Sequence, residues 1–258
     1  MANVAQIQIW NEGNADRWLR LRGAVTRSLV PFGAAAFEAL APRAGESALD
    51  VGCGFGETTA ALARVTGNAL GVDVSEPFLR IARKEAVPGA RFLLADAQTH
   101  RFDEPFDLCF SRFGVMFFED PAAAFRNLHA SLKPGARFAA ATWGPWQENE
   151  WATIPLAILR RQLAAPDPQP GPGPFGLSDA SALSSMLAGA GFTRVSVQPL
   201  ELPFDANAEH LTQMGPAAVA LREAKAEEGV RARFASDLLL ALEGKRPRAV
   251  ALIATAQA

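Results

Sequence analysis

Three acidic residues and one glycine run carry the most specific chemistry in this chain. In LDVGCGFGETTAALA, residues 49–63, Gly52, Gly54 and Gly56 recur at every second position after an apolar run ending near Asp50. A sharp turn from strand into helix needs backbone angles that side chains resist, and glycine both permits it and lets a ligand touch the main chain. The helix expected from Glu57 would aim free N–H groups and a positive dipole end at the same place. Counted from Gly52, Glu57 occupies the sixth position, where a dinucleotide fingerprint needs glycine. Carboxylates at Glu57 and Asp50 disfavour a pyrophosphate, so the loop suits a ligand that is not a phosphate and that tolerates positive charge.

Asp73 ends the second apolar run, about twenty residues after the first glycine, where an acid can accept from both hydroxyls of a ribose. Asp96 ends the third run, and its carboxylate can accept from an exocyclic amine such as that of adenine. Ribose, adenine and a cationic tail together describe S-adenosylmethionine. Blander readings stand beside these. The loop could be a ligand-free turn or a nicotinamide site, Asp73 a helix cap and Asp96 the start of a loop.

After the fourth and fifth runs come Phe113, Phe117, Trp143, Trp146 and Trp151, joined later by Phe175, which can line an apolar substrate pocket or serve as core. Arg112 either faces that pocket or is a salt-bridged structural arginine. His100, His210 and Arg112 are the candidates for a catalytic proton acceptor, although a lone histidine is often structural. His129 reads as a surface residue.

Positioning these groups requires alternating strands and helices. The runs SALDV (47–51), NALGVD (68–73), RFLLAD (91–96), FDLCFS (106–111) and RFAAATW (137–143) read as buried parallel strands separated by helices. Ser75 and Asp120 are expected N-caps, the latter followed by Pro121 and a helix burying Ala124, Phe125, Leu128 and Leu132 until Lys133-Pro134-Gly135 stops it. A further helix from about Ser178 ends at Gly191. TRVSVQPLEL reads as an edge strand and AVALIATA (249–256) as the last of seven. Residues 7–40 carry helical patterns, 165–176 are too rich in proline and glycine for a regular element, and 205–243 read as two inserted helices.

The 258 residues are 49 % hydrophobic, enough for a large core, and Lys+Arg 25 against Asp+Glu 27 leaves no basic field for nucleic acid. Cys53 and Cys109 lack partners at metal-ligand spacing, so they read as buried thiols and no metal is expected. The N-terminal MANVAQIQIWNEGN has no export pattern, and no run of ~18 apolar residues suggests membrane insertion. A cytoplasmic monomer or homodimer is the expectation.

LDVGCGFGETTAALA, GVDVS, FLLADAQ and FDLCFSRFGVMFFEDP, in that order, resemble the successive motifs of the class I S-adenosylmethionine-dependent methyltransferases. Within them the chain is most similar to the small-molecule group that includes the ubiquinone and menaquinone biosynthesis enzymes. The resemblance implies an α/β, Rossmann-like, doubly wound seven-stranded sheet, mostly parallel with a final antiparallel strand. It gives Asp50, Gly52 and Gly54 to the methionine part of the cofactor, Asp73 to the ribose, and Asp96 with Ala97 to adenine, with Cys53 and Val74 as further cofactor-binding residues. Ser111 and Arg112 would border the methyl group, and Asn11 and Trp18 would close over the cofactor. One methyltransferase domain is expected over 1–258: a helical lid to 42, a cofactor core over 43–143, a lid or loop region over 144–177, and a C-terminal half over 178–258 holding the 205–243 insertion. Beyond residue 200 no family motif can be matched.

The expected activity is methyl transfer to oxygen or carbon of a small, partly apolar metabolite, with S-adenosylhomocysteine as product. Such an in-line displacement needs alignment and exclusion of water more than a nucleophilic triad. SRFGVMFF stands where the resemblance places Pro-Pro-aromatic in amino-group methyltransferases, which favours oxygen or carbon acceptors. The alternatives are a non-catalytic S-adenosylmethionine-binding protein and a nicotinamide-dependent oxidoreductase.

Overall fold

The computed structural model describes residues 3–12, 14–169 and 171–258. Met1, Ala2 and Gly13 of the N-terminal segment and Pro170 of the proline-glycine stretch lie outside the described residues. Seven strands form one sheet: β1 (Ser47–Val51), β2 (Asn68–Asp73), β3 (Ala90–Leu94), β4 (Phe106–Arg112), β5 (Leu132–Trp143), β6 (Thr193–Pro203) and β7 (Arg248–Gln257). Their order is β3-β2-β1-β4-β5-β7-β6. β1 to β5 pair in parallel, while β7 is antiparallel to both β5 and β6. The expected doubly wound sheet with a final antiparallel strand is therefore the observed one.

The helices are α1 (Val4–Asn11), α2 (Asn14–Leu40), α3 (Glu57–Thr66), α4 (Glu76–Lys84), α5 (Pro121–Ala130), α6 (Glu150–Leu159), α7 (Ala180–Gly189), α8 (Ala208–Gln213), α9 (Pro216–Glu223) and α10 (Glu228–Leu242). Strand apolarity decides the core: Leu49, Leu108, Phe110 and Phe138 are fully buried, with Phe32 and Leu40 of α2 and Phe125 and Leu128 of α5 packed among them. Cys53 and Cys109 are buried free thiols, both pushed up by burial. No described helix is long and apolar enough to cross a membrane.

Several local expectations change. Asp120 does cap α5, accepting from the Ala123 N–H at 2.9 Å, but the helix ends at Ala130. Leu132 instead opens β5, opposite Phe106, so Lys133-Pro134-Gly135 lies within a strand and not at a helix stop. Sheet pairing overrides the helical spacing of one leucine. Ser75 sits at the N-cap position of α4, yet its hydroxyl donates to the Trp10 carbonyl at 2.8 Å and caps nothing. α6 lies in the region expected to be lid or loop. Its sequence EWATIPLAIL is apolar on most sides because Trp151, Leu156, Ile158 and Leu159 are all buried, so no amphipathic period marks it. The 205–243 insertion holds three helices, because Gly215-Pro216 and Lys225-Ala226 divide it.

The sheet explains where a site can form. The C-terminal ends of β1, β2 and β4 meet at one edge, with β1 and β4 adjacent although strands two and three intervene in sequence, the switch point at which open α/β sheets bind ligands. β6, antiparallel to β7, runs in the same sense as β5. Its end at Pro203, and the helices that follow, therefore come to that same edge.

Candidate functional site

Above this edge lies a cavity of about 220 Å³. Its floor is the turn from β1 into α3. Gly52, Gly54 and Gly56 have φ of 69°, 54° and 84°, and the Gly52 and Cys53 N–H groups both donate to the Val72 carbonyl, at 2.9 and 3.1 Å. A side chain at Gly52 is barred by backbone, since a Cβ would lie 2.7 Å from the Gly114 Cα. At Gly54 a Cβ would meet nothing within 4 Å, so the main chain there is open to the cavity it lines.

Asp73 stands at the end of β2 with its carboxylate fixed: Oδ2 accepts the Gly54 N–H and Oδ1 the Ser75 N–H, each at 2.8 Å. Each oxygen keeps a second lone pair, suited to two neighbouring hydroxyls. Burial pushes its pKa up against those bonds. Asp96 lies beyond β3, where Oδ1 accepts from the Gln98 N–H at 3.0 Å and from the Asn3 side chain at 3.5 Å. Its Oδ2 is buried without a partner, and burial raises this carboxyl too. Leaving such an acceptor unpaired costs ~1–3 kcal/mol or more, which an amine donor placed in the cavity would offset. A ribose, an amine and a ligand touching glycine backbone thus all find matching groups within one cavity.

The structure brings Gly52, Cys53, Gly54, Asp73, Val74, Asp96, Ala97 and Trp18 together around the cavity, and with them Arg112, Phe113, Phe117, Trp143 and Trp151. It leaves others out. Asp50 is wholly buried beneath the loop, where Oδ2 accepts from the hydroxyls of Thr58 and Thr59, both at 2.6 Å, and burial pushes its pKa up to about 6. Ser111 is also wholly buried: its hydroxyl donates to the Val51 carbonyl and accepts from the Gly114 and Val115 N–H groups, which knits the ends of β1 and β4. Asn11 does not reach the cavity. Its side chain clasps the end of β2 to the start of α4, donating to the Val74 carbonyl at 2.7 Å and accepting from the Glu76 N–H at 3.1 Å. Trp146 lies in a short turn after β5, outside the cavity wall.

Of the histidines, His100 packs edge-on against Phe102, away from the cavity. His129 is half-buried against Phe192 and Gly191, not a surface residue. His210 is the one that borders the cavity, 4 % exposed, with Nδ1 buried and unpartnered. Burial, followed by the Arg27 charge, lowers its pKa to about 4.

Glu57 is not a bare charge at the loop. It pairs with Arg22 at 3.1 Å and with Arg112 at 3.3 Å, so its repulsion of a phosphate is largely neutralised within the protein. Arg112 is accordingly both salt-bridged and cavity-lining, its stem lying over Gly33, where a Cβ would meet Arg112 Cδ at 2.5 Å.

Two halves of the wall escape a reading of the strand ends alone. Trp10 covers one side, edge-on to Trp18 at 5.2 Å and to Phe117 at 5.0 Å. Phe204 covers the other, 5.5 Å from Trp143 and 5.7 Å from Trp151, with Trp143 itself 4.3 Å from Phe113. The signal that points to Phe204 is its place directly after a strand running in the sense of β5.

Residues 49–140 match the family described as a methyltransferase domain. Over 126 residues, 48 % of this chain, the sequence is 33 % identical to a demethylmenaquinone methyltransferase of Clavibacter sepedonicus. Over 156 residues, 58 % of this chain, it is 28 % identical to phosphoethanolamine N-methyltransferase 1 of Arabidopsis thaliana. The chain spans 48 % of the length of the first relative and 29 % of the second. A phosphoethanolamine N-methyltransferase of Haemonchus contortus, solved with S-adenosylhomocysteine, shares the fold: TM-score 0.55 and 19 % identity over 87 % of this chain and 52 % of that one.

Proposed function

We propose, from the premise that residues 49–140 carry a methyltransferase domain and that the chain resembles the class I S-adenosylmethionine-dependent enzymes of quinone biosynthesis, that this protein transfers the methyl group of S-adenosylmethionine to a small, partly apolar acceptor. When bound, that cofactor supplies a sulfonium methyl group and a neutral thioether leaving group. Asp73 holds the ribose, Asp96 accepts from the adenine amine, and the Gly52–Gly54 main chain lies along the methionine portion. Asp50 acts from below, fixing the loop through Thr58 and Thr59.

The observation that carries this reading is the buried Asp96 Oδ2, without a partner, in the same cavity as an Asp73 carboxylate already oriented by two N–H groups. The rest of the cavity supports a second ligand. Phe113, Trp143, Trp151 and Phe204 form an aromatic chamber that excludes water and holds an apolar acceptor in line with the methyl group. A protein that bound the cofactor only to sense it would have no use for that chamber. Oxygen or carbon is the atom we assign for methylation.

Calorimetric titration with S-adenosylmethionine, S-adenosylhomocysteine and NADH tests the reading. Micromolar binding of the two sulfur compounds, without NADH, is expected. Binding of NADH alone would overturn it in favour of an oxidoreductase.

A further inference from the structure

We propose that His210 is the group that takes the acceptor's proton, and that the acceptor therefore carries an acidic hydroxyl on a flat, apolar ring; this rests on the methyl-transfer reading above. His210 stands at the third residue of α8, and the structure fixes it there from two sides. The Asn207 side chain caps the helix by accepting the His210 N–H at 2.8 Å. The Ser28 hydroxyl of α2 donates to the Asp205 carbonyl, which ties the start of the insertion to the cavity wall.

The ring is tilted against Phe204 at 6.1 Å, and Phe204 in turn contacts Trp143 and Trp151. A flat ring in this chamber meets aromatic faces and one imidazole. That imidazole is nine-tenths buried and has an unpartnered Nδ1, so a hydrogen-bonding ligand completes it. The charges acting on it are Arg27 of α2, which disfavours its protonation, and Asp205, which favours it. The Arg112–Glu57 pair borders the same cavity. Burial keeps the ring in its neutral, proton-accepting form across physiological pH, and an anion forming beside it would raise its proton affinity.

The transfer balances without another reactant. The hydroxyl proton passes to His210, and the freed oxygen pair forms the bond to the methyl carbon as the carbon–sulfur bond breaks. That bond's pair stays on sulfur, leaving a neutral thioether and a methyl ether. His210 returns its proton to solvent.

The test uses the full chain saturated with S-adenosylhomocysteine and para-nitrophenol as the probe. With three histidines in the chain, histidine NMR resolves His210 against His100 and His129 as internal references. The probe should raise the pH at which His210 alone protonates. Phenolate absorbance should show about tenfold more ionised probe at a fixed pH in the parent complex than in His210→Gln. A bound probe that leaves both the His210 titration and the phenolate fraction unchanged overturns the assignment, and so does failure of the probe to bind the saturated protein. The NMR arm needs no variant, so misfolding of His210→Gln would not blunt it. Loss of S-adenosylhomocysteine binding by the parent would instead overturn the cofactor reading.

Discussion

Replacing Asp73 with alanine tests the cofactor site most directly, because this carboxylate has two separable roles. Toward the cofactor it would accept two ribose hydroxyls. Hydrogen bonds to an ionised acceptor contribute about 1.5–3 kcal/mol each, so their joint loss is ~3–6 kcal/mol. At about 1.4 kcal/mol per tenfold, the dissociation constant for S-adenosylhomocysteine should rise by roughly 10²–10⁴. Toward the protein, the carboxylate accepts the Gly54 and Ser75 N–H groups, each at 2.8 Å. Asp73 lines the cavity, so water can enter the vacated space and the stability loss should stay near ~1–3 kcal/mol. Calorimetry reads the first effect and thermal unfolding the second. Asp73→Asn, which keeps one acceptor oxygen but no charge, should fall between parent and alanine variant. A folded Asp73→Ala protein that binds S-adenosylhomocysteine within about threefold of the parent would refute the ribose assignment, since even one such bond is worth about tenfold.

Gly54→Leu should fold, because a Cβ there meets nothing within 4 Å, with the left-handed φ of 54° costing ~1–2 kcal/mol; its side chain would occupy the space where we place the cofactor against the main chain, so S-adenosylhomocysteine binding should drop about a hundredfold or more, and undiminished binding would show that no ligand approaches there. Asn11→Ala should leave the fold intact but release the clasp between α1, Val74 and Glu76, speeding S-adenosylhomocysteine dissociation in stopped-flow by about tenfold; an unchanged rate would mean that α1 does not close the site. His210→Gln should make the protein more resistant to acid. With a folded pKa of about 4 against 6.5 when unfolded, the unfolded chain binds more protons between these values, so stability falls as pH drops through that window and levels off below it. At pH 5 the difference is about 2 kcal/mol, readable as a smaller loss of urea-unfolding free energy between pH 7 and pH 5 in the variant than in the parent. Equal losses would place the ring in contact with water.

The glycine loop, Asp73 at the end of β2, Asp96 shortly after β3 and the positions of the first five strands could be read from the sequence because each depends on local chemistry. Apolar runs make buried strands, and glycines at every second position mark a strand-to-helix turn of positive backbone angles. Spacing along the chain also separates neighbouring residues too weakly to assign their side chains. Asp50, Ser111 and Asn11 fall in the expected motifs, yet the bonds they make hold the loop, the ends of β1 and β4, and α1, with Asp50 Oδ1 left unpaired. Which member of a motif faces the ligand depends on where threonine hydroxyls, carbonyls and N–H groups from other elements arrive. Phe113, Phe117, Trp143 and Trp151 were legible as pocket candidates after the fourth and fifth runs, whereas the rest of the proposed acceptor chamber was decided by tertiary structure. Phe204 and His210 reach the chamber because β7 inserts antiparallel between β5 and β6, which turns the end of β6 and the helices after it toward the C-terminal edge of the parallel strands. That reversal pairs residues more than a hundred positions apart, as when Trp143 meets Ala251, and local periodicity carries no record of such pairing.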